Sequence, residues 1–249
     1  MIKIFRTIRQ RMLQENRFSR YFLYAIGEIV LVVIGILIAL QLNLWKEDAK
    51  SVKIEHKILE EIRNGLEKDL ADIAHNRRGH TNGIRSCAYW NKVIHGQQLS
   101  TDSIDFYYWY LTRSFTLAQN TASYESLKSR GLELITNDTL RLQITNMYQV
   151  EYVPMKALEE SYSETQFHEA YQVAINRIMA PMLVFNDAGE LVSVNTSVQL
   201  GDEARNELMS YFWRITRNRQ HVLKNYVTLE AQIQQLRARI SEELAKRPN

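Results

Sequence analysis

Apolar residues fall along the chain in two regimes, one continuous and one periodic. Tyr21–Trp45 reads YFLYAIGEIVLVVIGILIALQLNLW, with Glu28 as its one charge. As a helix this run spans about 37 Å, enough to cross a hydrocarbon core of about 30 Å. Phe18, Tyr21, Phe22 and Tyr24 lie at one end and Trp45 at the other. Amphipathic rings of this kind settle at headgroup level, so they mark both edges of a span. The run exceeds the apolar region of a cleaved signal peptide and passes into Gln41, Asn43, Trp45 and Lys46 with no small-x-small site. An uncleaved transmembrane helix over 21–45 is therefore expected.

The periodic regime follows. Leu59, Ile62, Leu66, Leu70 and Ile73 recur at spacings of three and four, continued by Arg77, His80, Ile84, Cys87, Asn91 and Ile94. This is one stripe of an amphipathic helix, predicted over Lys46–His95 and continuous with the span, with Gly79 and Gly83 as weak points that favour a kink. A second long helix is predicted from an Asp202 cap to Ala245. Its residues Val222, Tyr226, Leu229, Ile233, Leu236 and Ile240 are spaced 4, 3, 4, 3, 4, a heptad seam.

Shorter elements lie between. Helices are predicted over Ser103–Phe115, capped by Ser100 and Thr101, and over Thr121–Arg130, ended by Gly131. Asn137 caps a helix over Asp138–Val153, and Pro154 marks the junction to another over Met155–Met179. Met182–Phe185 and Glu190–Val194 flank Asn186-Asp187-Ala188-Gly189, a candidate β-hairpin within 182–194. The expected fold class is all-α: a single transmembrane helix continuing into an elongated antiparallel bundle, over 46–249, that buries both long stripes in one core.

Charge orients this arrangement. Lys3, Arg6, Arg9, Arg11, Arg17 and Arg20 face only Glu15 within residues 1–20, while Lys46, Lys50 and Lys53 balance Glu47, Asp48 and Glu55 after the span. The positive-inside rule places a basic tail over 1–20 in the cytoplasm and the helical domain outside it, in the periplasm of a double-membraned bacterium. The formal charge of +3 comes from the tail, which leaves the domain near neutral and argues against a nucleic-acid partner.

Candidate chemistry is sparse. Phosphate-binding glycine loops, a GxSxG turn and HExxH are absent from the sequence. Cys87 is the one cysteine, read as a small buried residue, with an interchain disulfide as the alternative. His80 falls on the apolar stripe and reads as a hydrogen-bonded core histidine. Glu160, Glu164 and His168 share a helix face but lack the Glu-x-x-His spacing of di-iron bundles, so they read as a solvated face and no metal or cofactor is expected.

Two groups stand out as contact candidates. Glu28 shares a face of the span with Gly35 and Ala39, which points to a helix–helix contact; pairing with Arg17 or Arg20 at the interface and proton coupling remain open alternatives. Tyr107, Tyr108, Trp109 and Tyr110 form an aromatic run that supplies a partner or ligand patch, or caps the core.

The segment YAIGEIVLVVIGILIALQLNLW, preceded by Ile8-Arg9, resembles the signature of an uncharacterised family of Bacteroidota inner-membrane proteins. TASYESLKSRGLELITNDTLRLQITNMY is similar to that family's middle region, where Tyr-Glu-x-Leu-Lys-Ser matches Tyr124–Ser129. The resemblance covers roughly the N-terminal half and implies topology and phylum, not activity. The expectation is a non-enzymatic, homo-oligomeric scaffold anchored in lipid that binds an envelope protein. The alternatives are a ligand-sensing bundle and a subunit of an ion-driven or channel assembly.

Overall fold

The computed structural model describes the backbone of residues 18–100, 102–160 and 167–246. Most of the basic tail, including Arg17, lies outside the described residues, as do Glu164 and the side chains of Arg20 and His168. The fold is all-α with one small hairpin. Its elements are α1 (Phe18–Ile94), α2 (Ile104–Thr112), α3 (Ala122–Arg130), α4 (Asp138–Asn146), α5 (Tyr152–Glu160), α6 (Phe167–Met179), β1 (Leu183–Phe185), β2 (Leu191–Val194) and α7 (Asp202–Lys246). Short 3₁₀ turns cover Leu132–Leu134 and Ala180–Met182.

The chain divides into two units, Met1–Ile54 and Glu55–Asn249. In the first, the described large apolar side chains from Ile26 to Trp45 are all exposed. This part of α1 is long and apolar enough to cross a membrane.

In the second unit α1 and α7 run antiparallel. Glu67 pairs with Arg237, Arg77 with Glu230, and His80 meets Arg219, so partner numbers fall as α1 numbers rise. The expected common core is present, and its registry is sharper than the apolar stripes alone imply. Besides Ile58, Gly79, Ser86 and Val93, α1 buries one continuous series: Glu55, Leu59, Ile62, Leu66, Asp69, Ile73, Asn76, His80, Gly83, Cys87, Trp90 and Ile94. Their spacing alternates four and three without a break. On α7, Leu208, Phe212, Ile215, Arg219, Val222, Tyr226, Leu229, Ile233, Leu236, Ile240 and Glu243 obey the same rule. This is the heptad seam of paired helices. It corrects the stripe at Leu70, Arg77, Ile84 and Asn91: Asp69 is fully buried beside a half-buried Leu70, Asn76 is buried beside a half-buried Arg77, Ile84 is half-buried and Asn91 is exposed. Each fully buried Leu or Ile contributes about 1.5–3 kcal/mol, and this apolar majority carries the polar seam positions.

The far end of the seam closes on a second cluster, in which Trp90, Ile104, Leu111, Ile175, Met179, Met182 and Phe212 are buried together. The hairpin covers this end, with Leu183 opposite Val194, Val184 opposite Ser193 and Phe185 opposite Leu191 across a bulge. Its turn closes at Gly189, whose φ of +80° suits glycine.

Two predicted boundaries move. The helix expected over Ser103–Phe115 stops at Thr112, because the chain turns extended at Arg113 and stays non-helical through 121. The helix expected to end at Val153 continues through Pro154 into α5 by way of a π turn at Met147–Glu151. A proline ring collides with the carbonyl four residues earlier, and widening the preceding turn relieves that clash. Asn137 does cap α4, accepting the Leu140 amide at 3.1 Å. The long first helix keeps its predicted course: α1 is continuous from the apolar run to Ile94 and does not break at Gly79 or Gly83.

Candidate functional site

The densest polar chemistry surrounds residues 113–121, a non-helical segment that packs on both long helices. Buried backbone without helix or strand partners needs other hydrogen bonds. Here side chains of α1, α5 and α7 supply them. The Arg113 carbonyl accepts from Arg219 at 2.9 Å, and the Thr116 carbonyl accepts from Asn76 at 2.9 Å. The Leu117 amide donates to Glu159, the Ala118 amide to Asp72 and the Asn120 amide to Asp69, each at 2.9 Å. The ends of the seam repeat the device around α4: Glu55 accepts the Thr136 amide at 2.8 Å, and Glu243 accepts from Asn137 at 2.7 Å.

Tyrosines complete the carboxylate shells. Tyr152 donates to Asp69 at 2.5 Å, and Tyr226 donates to Glu159. Tyr148 stacks on Tyr124 at 4.4 Å. Burial raises the pKa of Asp69 and of Glu159 above the ordinary carboxylate value, against the lowering effect of these hydrogen bonds. The same burial, with the neighbouring carboxylates, raises Tyr152 and Tyr226 and keeps both phenols protonated as donors.

Arg219 is 1% exposed. One of its terminal nitrogens donates to the carbonyls of Tyr110, Leu111 and Arg113, which closes the last turn of α2. The other lies 3.3 Å from Nδ1 of His80. Arginine can only donate, so Nδ1 accepts and the imidazole proton sits on Nε2. Burial, then the Arg219 charge, lowers His80 to about 3 and keeps it neutral. Burial also lowers Arg219, to about 10, so it stays protonated at neutral pH.

Gly79 and Gly83 make this arrangement fit. A Cβ on Gly79 would stand 2.4 Å from the Phe115 ring, and one on Gly83 would stand 2.3 Å from the Arg219 guanidinium. These glycines form slots for the two side chains that anchor the segment. Gly79→Ala is expected to lower stability by about 1–3 kcal/mol through overpacking, although alanine favours helix by about 1 kcal/mol. Gly65→Ala meets only an ordinary 3.4 Å contact and is expected to be neutral or stabilising. Denaturant unfolding of the two variants checks the contrast; equal effects would remove the slot.

The aromatic run divides by direction. Tyr107 stacks on Tyr89 at 4.2 Å, Tyr108 packs edge-on to Trp90 and donates to Asn176, and Tyr110 stacks on Phe115. Trp109 is 59% exposed, with the Arg113 guanidinium 4.3 Å above its ring. Of the four, Trp109 faces solvent most fully. In the first unit Glu28, Gly35 and Ala39 are exposed on α1, and beyond the adjoining helix backbone nothing lies within 4 Å of a Cβ built on Gly35. Glu160 lies 3.9 Å from Lys156, and among the described residues no three metal-ligating side chains converge. Cys87 is buried, its thiol pushed up to about 11 by desolvation.

The residues that organise this centre were not singled out as sites in the sequence, His80 apart. The signal was available: Asp69 and Arg219 sit at heptad positions whose seam neighbours, Leu66 and Ile73 for one and Ile215 and Val222 for the other, are apolar. A polar residue in phase with a seam marks a place where something other than a helix packs.

No curated protein and no solved structure matches the chain. A family profile matches residues 28–174, which includes most of the apolar part of α1, the glycine slots, the 113–121 segment and α5, but not Arg219 or Tyr226. With more than half of its length matched, the chain belongs to the family of unknown function DUF6090.

Proposed function

We propose that the chain is a non-enzymatic interaction module of the bacterial envelope, anchored in the inner membrane with its N-terminus in the cytoplasm and its helical unit in the periplasm. The observation that carries this reading is the composition of α1. One helix presents an exposed aliphatic run from Ile26 to Trp45 and then supplies one side of a buried heptad seam. The first part suits lipid and the second suits a rigid display platform. The buried carboxylates support the non-enzymatic part: Asp69, Glu159 and Glu55 each accept a backbone amide and so hold the fold.

Membrane fractionation tests the anchor. The full chain is expected to stay with membranes through alkaline carbonate, and Leu37→Arg to shift it measurably toward the soluble fraction, since a charge at the centre of a span costs about 3 kcal/mol. A reporter fused after Asn249 is expected to be active only outside the cytoplasm. Activity confined to the cytoplasm would overturn the orientation, and carbonate release of the unaltered chain would overturn the anchor.

A further inference from the structure

The seam uses one side of α1 and α7, and the short helices and the 113–121 segment cover another. A further face of the pair is open. There a groove of about 520 Å³ runs between the two helices within the second unit. Its floor is Ala74, Leu223 and Val227, the last 54% exposed. Its α1 wall carries Arg77, Arg78 and Arg85. Arg77 is paired with Glu230. Arg78 and Arg85 are exposed, lie seven residues apart on one side of α1, and have no ion-pair partner among the described residues. No carboxylate lines the groove.

We propose that this groove docks an acidic amphipathic helix from a partner protein. Shape argues for a helix: the furrow between two antiparallel helices is where a third packs, and Ala74 to Arg85 covers about 16 Å, or three turns. An apolar floor takes a stripe at i, i+3, i+4 and i+7, the usual anchor pattern of a helix in a groove. Charge sets the sign. Two free guanidiniums on one rim, in a domain whose sequence is near neutral, form a local positive field that selects glutamate or aspartate flanking the apolar stripe. The inference rests on the interaction-module reading and names the partner class.

The test is a selection of helical peptides on the full chain in detergent micelles. The library has 16 residues with a leucine face and flanking positions drawn from Glu, Gln and Lys. Glutamate-flanked members are expected to be enriched. Arg78→Glu/Arg85→Glu is expected to weaken them at least tenfold and to shift selection toward lysine. Val227→Glu is expected to weaken every member. All three positions are exposed, so unchanged thermal unfolding is expected to accompany each loss. Enrichment blind to charge, or binding unaffected by these variants, overturns the proposal. So does displacement of the selected peptide by dodecyl phosphate at equal concentration, which would assign the groove to a small amphiphile. A dimer that falls to monomer in Arg78→Glu/Arg85→Glu would assign it to a second copy and overturn it too. A chain released by carbonate that still selects acidic helices would lose the anchor and keep the docking site.

Discussion

Arg219→Met is expected to be the most damaging single substitution in the helical unit, with a loss of about 3–5 kcal/mol in denaturant unfolding of the full chain in detergent micelles. Methionine fits the volume but cannot donate. The carbonyls of Tyr110, Leu111 and Arg113 all lose the same donor, and an unsatisfied buried polar group costs about 1–3 kcal/mol. Replacing a buried ion pair by apolar residues can be neutral, because both charges leave together. That relief is absent here, since three backbone carbonyls stay behind. Domains are stable by about 5–15 kcal/mol, so the loss is a large share of the total.

Arg219→Lys separates charge from geometry. A single ammonium keeps the positive end near the C-terminus of α2 but cannot span three carbonyls and His80 at once. The expected order is therefore wild type, lysine, methionine. The damage is also expected to be local at first, with cleavage by a non-specific protease appearing within 113–121 before general unfolding. A methionine variant within about 1 kcal/mol of wild type would show that the 113–121 segment is held by its other contacts.

How far the sequence announces this structure depends on which residue is asked. The apolar seam of α7 and the early seam of α1 are legible, because Leu and Ile at heptad spacing have one physical use in a helix of mixed polarity. The hairpin is legible from Asn186-Asp187-Ala188-Gly189 between apolar runs. Asp69 is masked in the sequence by its neighbour Leu70, the more obvious core residue, and only the unbroken four-three spacing through Ile73 favours Asp69. Gly79 and Gly83 were legible as glycines and not as slots: their role depends on Phe115 and Arg219, distant in sequence. The non-helical course of 113–121 was hidden for the same reason. Its residues carry no Pro or Gly, and its backbone partners are side chains on three other elements.

His80 is expected to set the acid limb of stability. Its pKa is about 3 in the folded state against an ordinary 6.5, through burial and the adjacent Arg219. Between those values the unfolded chain binds a proton that the folded chain refuses, so stability rises with pH across this window and falls on acidification. From pH 7.5 to pH 5 the contribution is a loss of about 2 kcal/mol, at 1.36 kcal/mol per unit. Asp69 and Glu159 work in the opposite sense. Their folded pKa values are raised, so the folded chain takes up protons first and gains stability as pH falls through them. The net curve of the wild type mixes both signs and cannot isolate either. The comparison with His80→Gln can. Glutamine keeps an acceptor for Arg219 and does not titrate, while Asp69 and Glu159 are common to both chains. The stability difference between wild type and His80→Gln is expected to shift by about 2 kcal/mol against the wild type between pH 7.5 and pH 5. Parallel curves would mean that the imidazole accepts its proton inside the fold, and that the charge of Arg219 does not reach it.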